Sequence, residues 1–285
     1  MQPRIVALGD SVTTGVGDAV SPGLQTGWVS HLARLVDAHD VCNVARMGAR
    51  ARDVLAEQVP QVHQDEADFV TLLVGGNDVL RKDFDPQRVG QTVHDICAEF
   101  SQRAIVIVVL LHDPNRVLPA FAGDAGRVLA RRAAAVNDHV RRLVANQESV
   151  VVVDVSTEPG AHDLDNWHID RMHPSPIGHR WLARVVAAAL SQRGLVIVTG
   201  DEDPVPPTPR RWVQLVWFIA AGVPWAVKRS VDLLPELVSV VVADRRKVKQ
   251  EVTREMKQGP PRASLASGDP DRARTGDLRR DRAAR

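Results

Sequence analysis

The chain has 285 residues, 44% of them hydrophobic and 25% charged, and its formal net charge is +1 at pH 7. That suffices for a sizeable core in one large or two modest domains, and the balanced charge gives no general argument for a nucleic-acid partner. The sequence has no tyrosine, which excludes a Tyr acid or base, and its two cysteines, Cys42 and Cys97, lack metal-ligand spacing and read as buried free thiols.

Met1-Gln2-Pro3-Arg4 leads straight into an apolar run. It has no basic leader, long apolar stretch or small-residue cleavage site, so a cytoplasmic catalytic part is expected. Five short, β-branched-rich runs then follow in order, at residues 5–8, 41–44, 69–74, 104–111 and 150–155. They are continuous rather than alternating, as expected of strands covered on both faces of a parallel sheet. Helical periodicity falls between them. Val29, Leu32, Leu35 and Val36 share one face; residues 51–58 form a shorter helix; Val89, Val93, Ile96, Cys97 and Phe100 share another face. Leu129, Ala133, Val136, Val140 and Leu143 form the next, and Trp181, Leu182, Val185, Val186 and Ala189 the last. Strand–helix alternation of this kind predicts an α/β fold with right-handed crossovers, and ligands at the carboxyl ends of the strands.

The pattern closes near Gly194, giving a first domain over residues 1–194. A Pro-rich linker over 195–211 follows, then an apolar and amphipathic helical segment over 212–257 and a disordered charged tail over 258–285. The stretch from Trp212 to Ala243 is too interrupted, by Gly222 and Pro224, for a good membrane span. Beside that poor span two better readings stay open: a helix pair at a membrane interface, suited by Trp212, Trp217 and Trp225 with flanking Arg and Lys, or a helix packed on the first domain or across a dimer. Peripheral membrane contact is thus one expected partnership of this segment.

Four motifs fall just past predicted strands. Ser11, in Leu8-Gly9-Asp10-Ser11-Val12, follows the first; Gly48 follows the second; Gly75-Gly76-Asn77-Asp78 follows the third; Asp170-Arg171-Met172-His173-Pro174 follows the fifth. A serine hydroxyl needs a base to become a nucleophile, and His173 is the candidate. Asp170, three residues earlier, can hold the imidazole by its Nδ1–H. Acyl transfer also needs donors for an oxyanion, and the Ser11 N–H, the Gly48 N–H and the Asn77 amide are the candidates. Asp10 reads as a local turn stabiliser. His112 and the loop 113–126 lie at the same edge, and Trp167 and His168 are expected on the rim. His162, His168, His173 and His179 cluster with Asp163, Asp165 and Asp170 but lack compact ligand spacing, so no metal or other cofactor is expected.

Taken together, Gly9-Asp10-Ser11-Val12, the stretch from Asn43 to Gly48, Gly76-Asn77-Asp78 and Asp170-Arg171-Met172-His173-Pro174 resemble the SGNH (GDSL-type) hydrolases, over roughly residues 4–190. The resemblance implies a flavodoxin-like three-layer α/β/α sandwich around a five-stranded parallel sheet. It implies metal-free hydrolysis of esters or thioesters at a shallow, adaptable site, with Ser11, Gly48, Asn77 and His173 as the name-giving residues and Asp170 completing the triad. Val12 stands where the family's usual motif has Leu, a conservative departure. The expected activity is that of a serine esterase acting on lipid or acetylated small-molecule esters through an acyl-enzyme. An acyltransferase with the same nucleophile, or a non-catalytic lipid-binding module, are the alternatives.

Overall fold

The computed structural model describes residues 2–21, 24–62, 66–118, 123–168 and 170–196, together with residue 242. The expected linker, apolar segment and charged tail lie outside the described residues, apart from 195, 196 and 242.

Strand β1 (Arg4–Gly9) runs into the first loop, which carries a two-stranded antiparallel ribbon, β2 (Ala19–Ser21) and β3 (Leu24–Gln25). Helix α1 (Gly27–Leu35) returns the chain to β4 (Asp40–Asn43). A helical stretch follows: α2 (Ala51–Asp53), a wide π turn (Val54–Gln58) and α3 (Val59–Val62). Then come β5 (Phe69–Leu73), α4 (Gly76–Val79), α5 (Pro86–Phe100), β6 (Ile105–Val109), α6 (Pro114–Val117), α7 (Gly123–Val144), β7 (Val150–Val153) and α8 (Pro176–Gln192). The main sheet has the order β4-β1-β5-β6-β7, with every pair parallel.

Residues alternate in face along each strand, and both faces are dry. Val6, Leu8, Val70, Leu72, Val106 and Val108 point to one layer, where they meet Val93, Ile96 and Phe100 of α5 and Val136 and Val140 of α7. Ile5, Ala7, Ile107, Val109, Val151 and Val153 point to the other, against Trp28 and Leu32 of α1 and Leu182 and Val186 of α8. This is the expected three-layer α/β/α sandwich. The two-sided burial is why the central strands read as unbroken apolar runs.

The differences from the sequence expectation are local. Strands β4 to β7 stop short of their apolar runs where the chain leaves the ladder for the functional edge, whereas β1 runs on to Gly9: Val155 already lies in a 3₁₀ turn (Val155–Thr157), and the Leu111 N–H bonds the Asn137 side chain instead of a strand. The helix expected over 51–58 continues to Val62 through the π turn. Pro60 has no N–H to give the preceding turn, which fits a widened helix just before it. In α7 the buried residue of the last turn is Val144, while Leu143 is exposed. In α8 the buried stripe runs through Leu182, Ala183, Val186, Ala187 and Leu190, with Trp181 and Val185 only partly covered. The ribbon β2–β3 had no sequence signal. Cys42 and Cys97 form no disulfide with each other, and burial pushes the Cys97 thiol up to about 12.

Candidate active site

The four motif loops all leave the carboxyl end of the sheet. After β1, Gly9 takes φ +150°, and a Cβ there would lie 2.4 Å from the Leu73 carbonyl oxygen, so the tight exit admits only glycine. The chain then coils through tight turns (Thr14 N–H to Asp10 O, 3.0 Å; Val16 N–H to Ser11 O, 3.1 Å), leaving Ser11 at their start. The Asn43 amide at the end of β4 donates to Thr13 O at 2.8 Å and pins this loop from the neighbouring strand.

The Asp170–His173 turn is built by its own side chains. Asp170 Oδ1 accepts from the Met172 N–H at 2.9 Å and the His173 N–H at 3.1 Å, while Oδ2 accepts from His173 Nδ1 at 2.8 Å. Arg171 between them sits at φ +56°, a conformation costly for a side-chain-bearing residue, by about 1–3 kcal/mol. It is held there by its Nη1 donating to Leu164 O at 2.7 Å. The His168 N–H bonds His173 O at 2.8 Å and Trp167 bridges Pro174, so the histidine is presented from a closed turn. On the far side of its ring, His173 Nε2 lies 2.8 Å from Ser11 Oγ. With Nδ1 donating to Asp170, Nε2 is left to accept the serine proton.

The aspartates of the site differ in ionisation. Burial opposes the charge of Asp170, but the nearby His168 imidazole, the hydrogen bond from His173 and that from the Met172 N–H outweigh it and hold the carboxyl well below its ordinary range. Asp10 is 3% exposed, and there burial prevails: its carboxyl is pushed up to about 6 despite the Val12 N–H and nearby His173.

The three candidate oxyanion donors lie at the exits of adjacent strands. Gly48 turns at φ +77°. The Ser11 and Gly48 N–H groups donate to no other described residue, so both are available to a ligand. Asn77 Nδ2 instead has two protein acceptors, Ala49 O at 3.1 Å and Asp10 Oδ2 at 3.3 Å. The second contact is the longer of the two. Asp10 is therefore more than a turn stabiliser: Oδ1 accepts from the Val12 N–H at 3.0 Å and Oδ2 faces Asn77.

The remaining expected rim residues are also at this edge. His112 packs on Trp167 with ring centroids 4.1 Å apart, and burial pushes its imidazole down to about 3, so it is neutral. His168 Nδ1 lies 3.6 Å from Asp170 Oδ2. His179 faces away from the site: its Nδ1 accepts from the Trp28 N–H at 3.1 Å and its Nε2 donates to Val16 O at 2.9 Å. Among the described residues no group of three or more His, Cys, Asp or Glu side chains is arranged to hold a metal ion.

Two polar groups beside the site had no motif to announce them. Arg50 bonds Asp78 and Asp83, and the Gln58 side chain bonds Gly9. Both contacts join residues far apart in sequence, which only the folded chain brings together.

Comparison with known proteins places this architecture. The chain resembles three solved structures: the lipase Lip_vut3 from a goat rumen metagenome (22% identity, TM-score 0.52, covering 66% of this chain and 97% of that one); Axe2, an acetylxylan esterase from Geobacillus stearothermophilus (19%, 0.54, 66% and 94%); and a lipase/acylhydrolase from Enterococcus faecalis (20%, 0.52, 70% and 100%). At these identities they establish the fold. No curated protein matches the chain. The model of the GDSL-like lipase/acylhydrolase family matches residues 7–181, a span that begins just before Ser11 and ends beyond His173, and the chain belongs to that family of ester hydrolases.

Proposed function

We propose that the protein is a serine esterase that cleaves carboxylic esters and thioesters through an acyl-enzyme. The reading rests above all on the unbroken chain of hydrogen bonds from Ser11 Oγ through His173 to Asp170, each link 2.8 Å. His173 Nε2 takes the Ser11 proton as Oγ attacks the carbonyl carbon. Asp170 stabilises the imidazolium through Nδ1–H and keeps the ring in the required tautomer. Negative charge then develops on the carbonyl oxygen, where the Ser11 and Gly48 N–H groups receive it. Asn77 joins them by releasing its long contact to Asp10. The tetrahedral intermediate collapses, His173 protonates the leaving alcohol or thiol, and the acyl group stays on Oγ. A water activated by His173 repeats the sequence and frees the acid.

The test is hydrolysis of a chain-length series of p-nitrophenyl esters by the full chain beside Ser11→Ala. The expected outcome is turnover on at least one ester that falls by about 10³-fold or more in the variant. Equal turnover by both would remove Ser11 from the chemistry.

A further inference from the structure

We propose that the segment running from Arg50 through the π turn is a jig for the oxyanion site, with Arg50 and Gln58 as positioning residues; this rests on the roles given above to Ser11, Gly48 and Asn77. The Ser11 and Gly48 donors sit on loops after β1 and β4, and Asn77 sits in α4 at the exit of β5. Strand register fixes where those segments begin but not where their donors end, because each segment has already left the ladder. Something outside the sheet must hold the segments in mutual register.

The segment does so at two points. At its start, Arg50 donates from Nε to Asp78 Oδ1 at 3.0 Å and from Nη1 to Asp83 Oδ2 at 2.9 Å. The Ala51 N–H donates to Asp78 Oδ2 at 3.0 Å, and Ala49 O accepts from Asn77 at 3.1 Å. The turn that carries Gly48 is thereby fastened to α4, which carries Asn77. Burial opposes the Arg50 charge, but its hydrogen bonds to Asp83 and Asp78 more than offset this. A planar fork reaching two carboxylates sets an orientation that a lysine's point charge does not.

At its other end the segment grips the nucleophile strand. Gln58, 2% exposed, accepts at Oε1 from the Gly9 N–H at 2.9 Å and donates from Nε2 to Gly9 O at 2.8 Å. This two-bond pairing holds the peptide just before Asp10 and Ser11. Gln58 is the last residue of the π turn. One extra residue in a turn rotates everything after it by about 100° relative to a regular helix, so the widened turn decides which side chain meets Gly9. Wide turns of this kind recur at functional sites for that reason.

The role is one of geometry, so it should appear in kcat rather than in KM: misplacing a reacting group by about 1 Å can cost about 10²-fold. The experiment uses the full chain as wild type, Ser11→Ala, Arg50→Gln, Arg50→Lys, Gln58→Met and Gln58→Glu. It measures kcat and KM on the best p-nitrophenyl ester, the rate of inactivation by an organophosphonate whose P=O occupies the oxyanion site, and Tm. All assays are run at the same interval below each variant's Tm. Arg50→Gln and Gln58→Met are expected to lower kcat by about 10–100-fold with KM within about threefold, and to slow phosphonylation by a similar factor. Arg50→Lys, which keeps part of the contact, should fall between Arg50→Gln and wild type, whereas Gln58→Glu, which sets a buried carboxylate oxygen against Gly9 O, should lower kcat at least as far as Gln58→Met. Unchanged kcat in all four variants, an effect on KM alone, or a kcat loss that vanishes at matched intervals below Tm would overturn the proposal. If Arg50→Gln does not fold, the Lys and Glu variants decide it in the same way. Activity surviving in Ser11→Ala would instead overturn the catalytic reading on which the proposal rests.

Discussion

Asp10 and Asp170 flank the same histidine, and their surroundings drive them apart. Asp170 has a hydrogen bond for each oxygen from the turn it closes, and stays ionised. Asp10 has a single close N–H partner and a long contact to Asn77 within a buried pocket, and its carboxyl rises to about 6. An ionised Asp170 can hold the Nδ1–H tautomer of His173, which an amide in its place would not enforce. Asp170→Asn is therefore expected to lower kcat by about 10⁴-fold with a much smaller change in KM. Steady-state kinetics on a p-nitrophenyl ester would show it, and a loss below tenfold would contradict the orienting role. The spacing of Asp170 and His173 was legible from sequence because the turn is local and three residues long. The ionisation of Asp10 was not, since it depends on burial by residues from other loops.

At the level of elements, α8 shows how closely helix packing and the site are joined. Ser175 caps the helix by accepting from the Gly178 N–H at 3.1 Å, and Pro176 supplies the first helical position. These signals sit directly after His173 in the sequence. Gly178 lies in the first turn and touches the loop before the histidine: a Cβ there would stand 1.9 Å from Asn166 O and 3.0 Å from Pro174 Cβ. A Gly→Ala change inside a helix ordinarily stabilises by about 0.5–1 kcal/mol. Here the clash with backbone reverses the sign. Gly178→Ala should lower Tm and also reduce kcat, because relief of the clash moves Pro174 and with it His173. Thermal melts and ester kinetics on the same preparation test this, and a raised Tm with full activity would refute it. The sequence signalled the helices whose apolar spacing is long and regular. It missed the continuation to Val62, because a π turn breaks the 3.6-residue period, and it missed the short ribbon β2–β3, which has too few residues to show a period.

For the whole molecule, buried ionisable groups set an opposing pH response. Burial pushes His179, which is fully enclosed, down to about 4 from the ordinary value of 6.5. Between those values the unfolded chain binds a proton that the folded one refuses, so His179 contributes stability above pH 6.5 that is lost as pH falls to about 4, roughly 3 kcal/mol in all. His112, pushed down to about 3, acts in the same sense. Asp10 acts in the opposite sense: its neutral form is favoured in the fold, so its contribution is full below pH 3.8 and is lost as pH rises through about 6. His162, lowered by burial, adds to the loss and Asp78, raised by burial, opposes it, and the larger shifts of His179 and His112 leave a net loss of stability on acidification. Urea denaturation from pH 7 to pH 4 should show that loss in the wild type, a steeper one in Asp10→Asn, and a flatter one in His179→Gln. Identical slopes in all three proteins would refute this account.

The sequence by itself determined the layered α/β fold, since two-sided burial writes strands as apolar runs and amphipathic helices as 3.6-residue stripes. It also placed Ser11, Gly48, Asn77, Asp170 and His173, because each follows a strand and the carboxyl ends of parallel strands converge on one edge. The tertiary structure alone decided what holds those residues in register. Gln58 meets Gly9 across 49 residues of sequence, and Arg50 meets Asp78 across 28. Neither pairing leaves a periodic trace. Both form because polar groups buried where loops meet must find partners, and which partners lie within reach is settled only when the chain has packed.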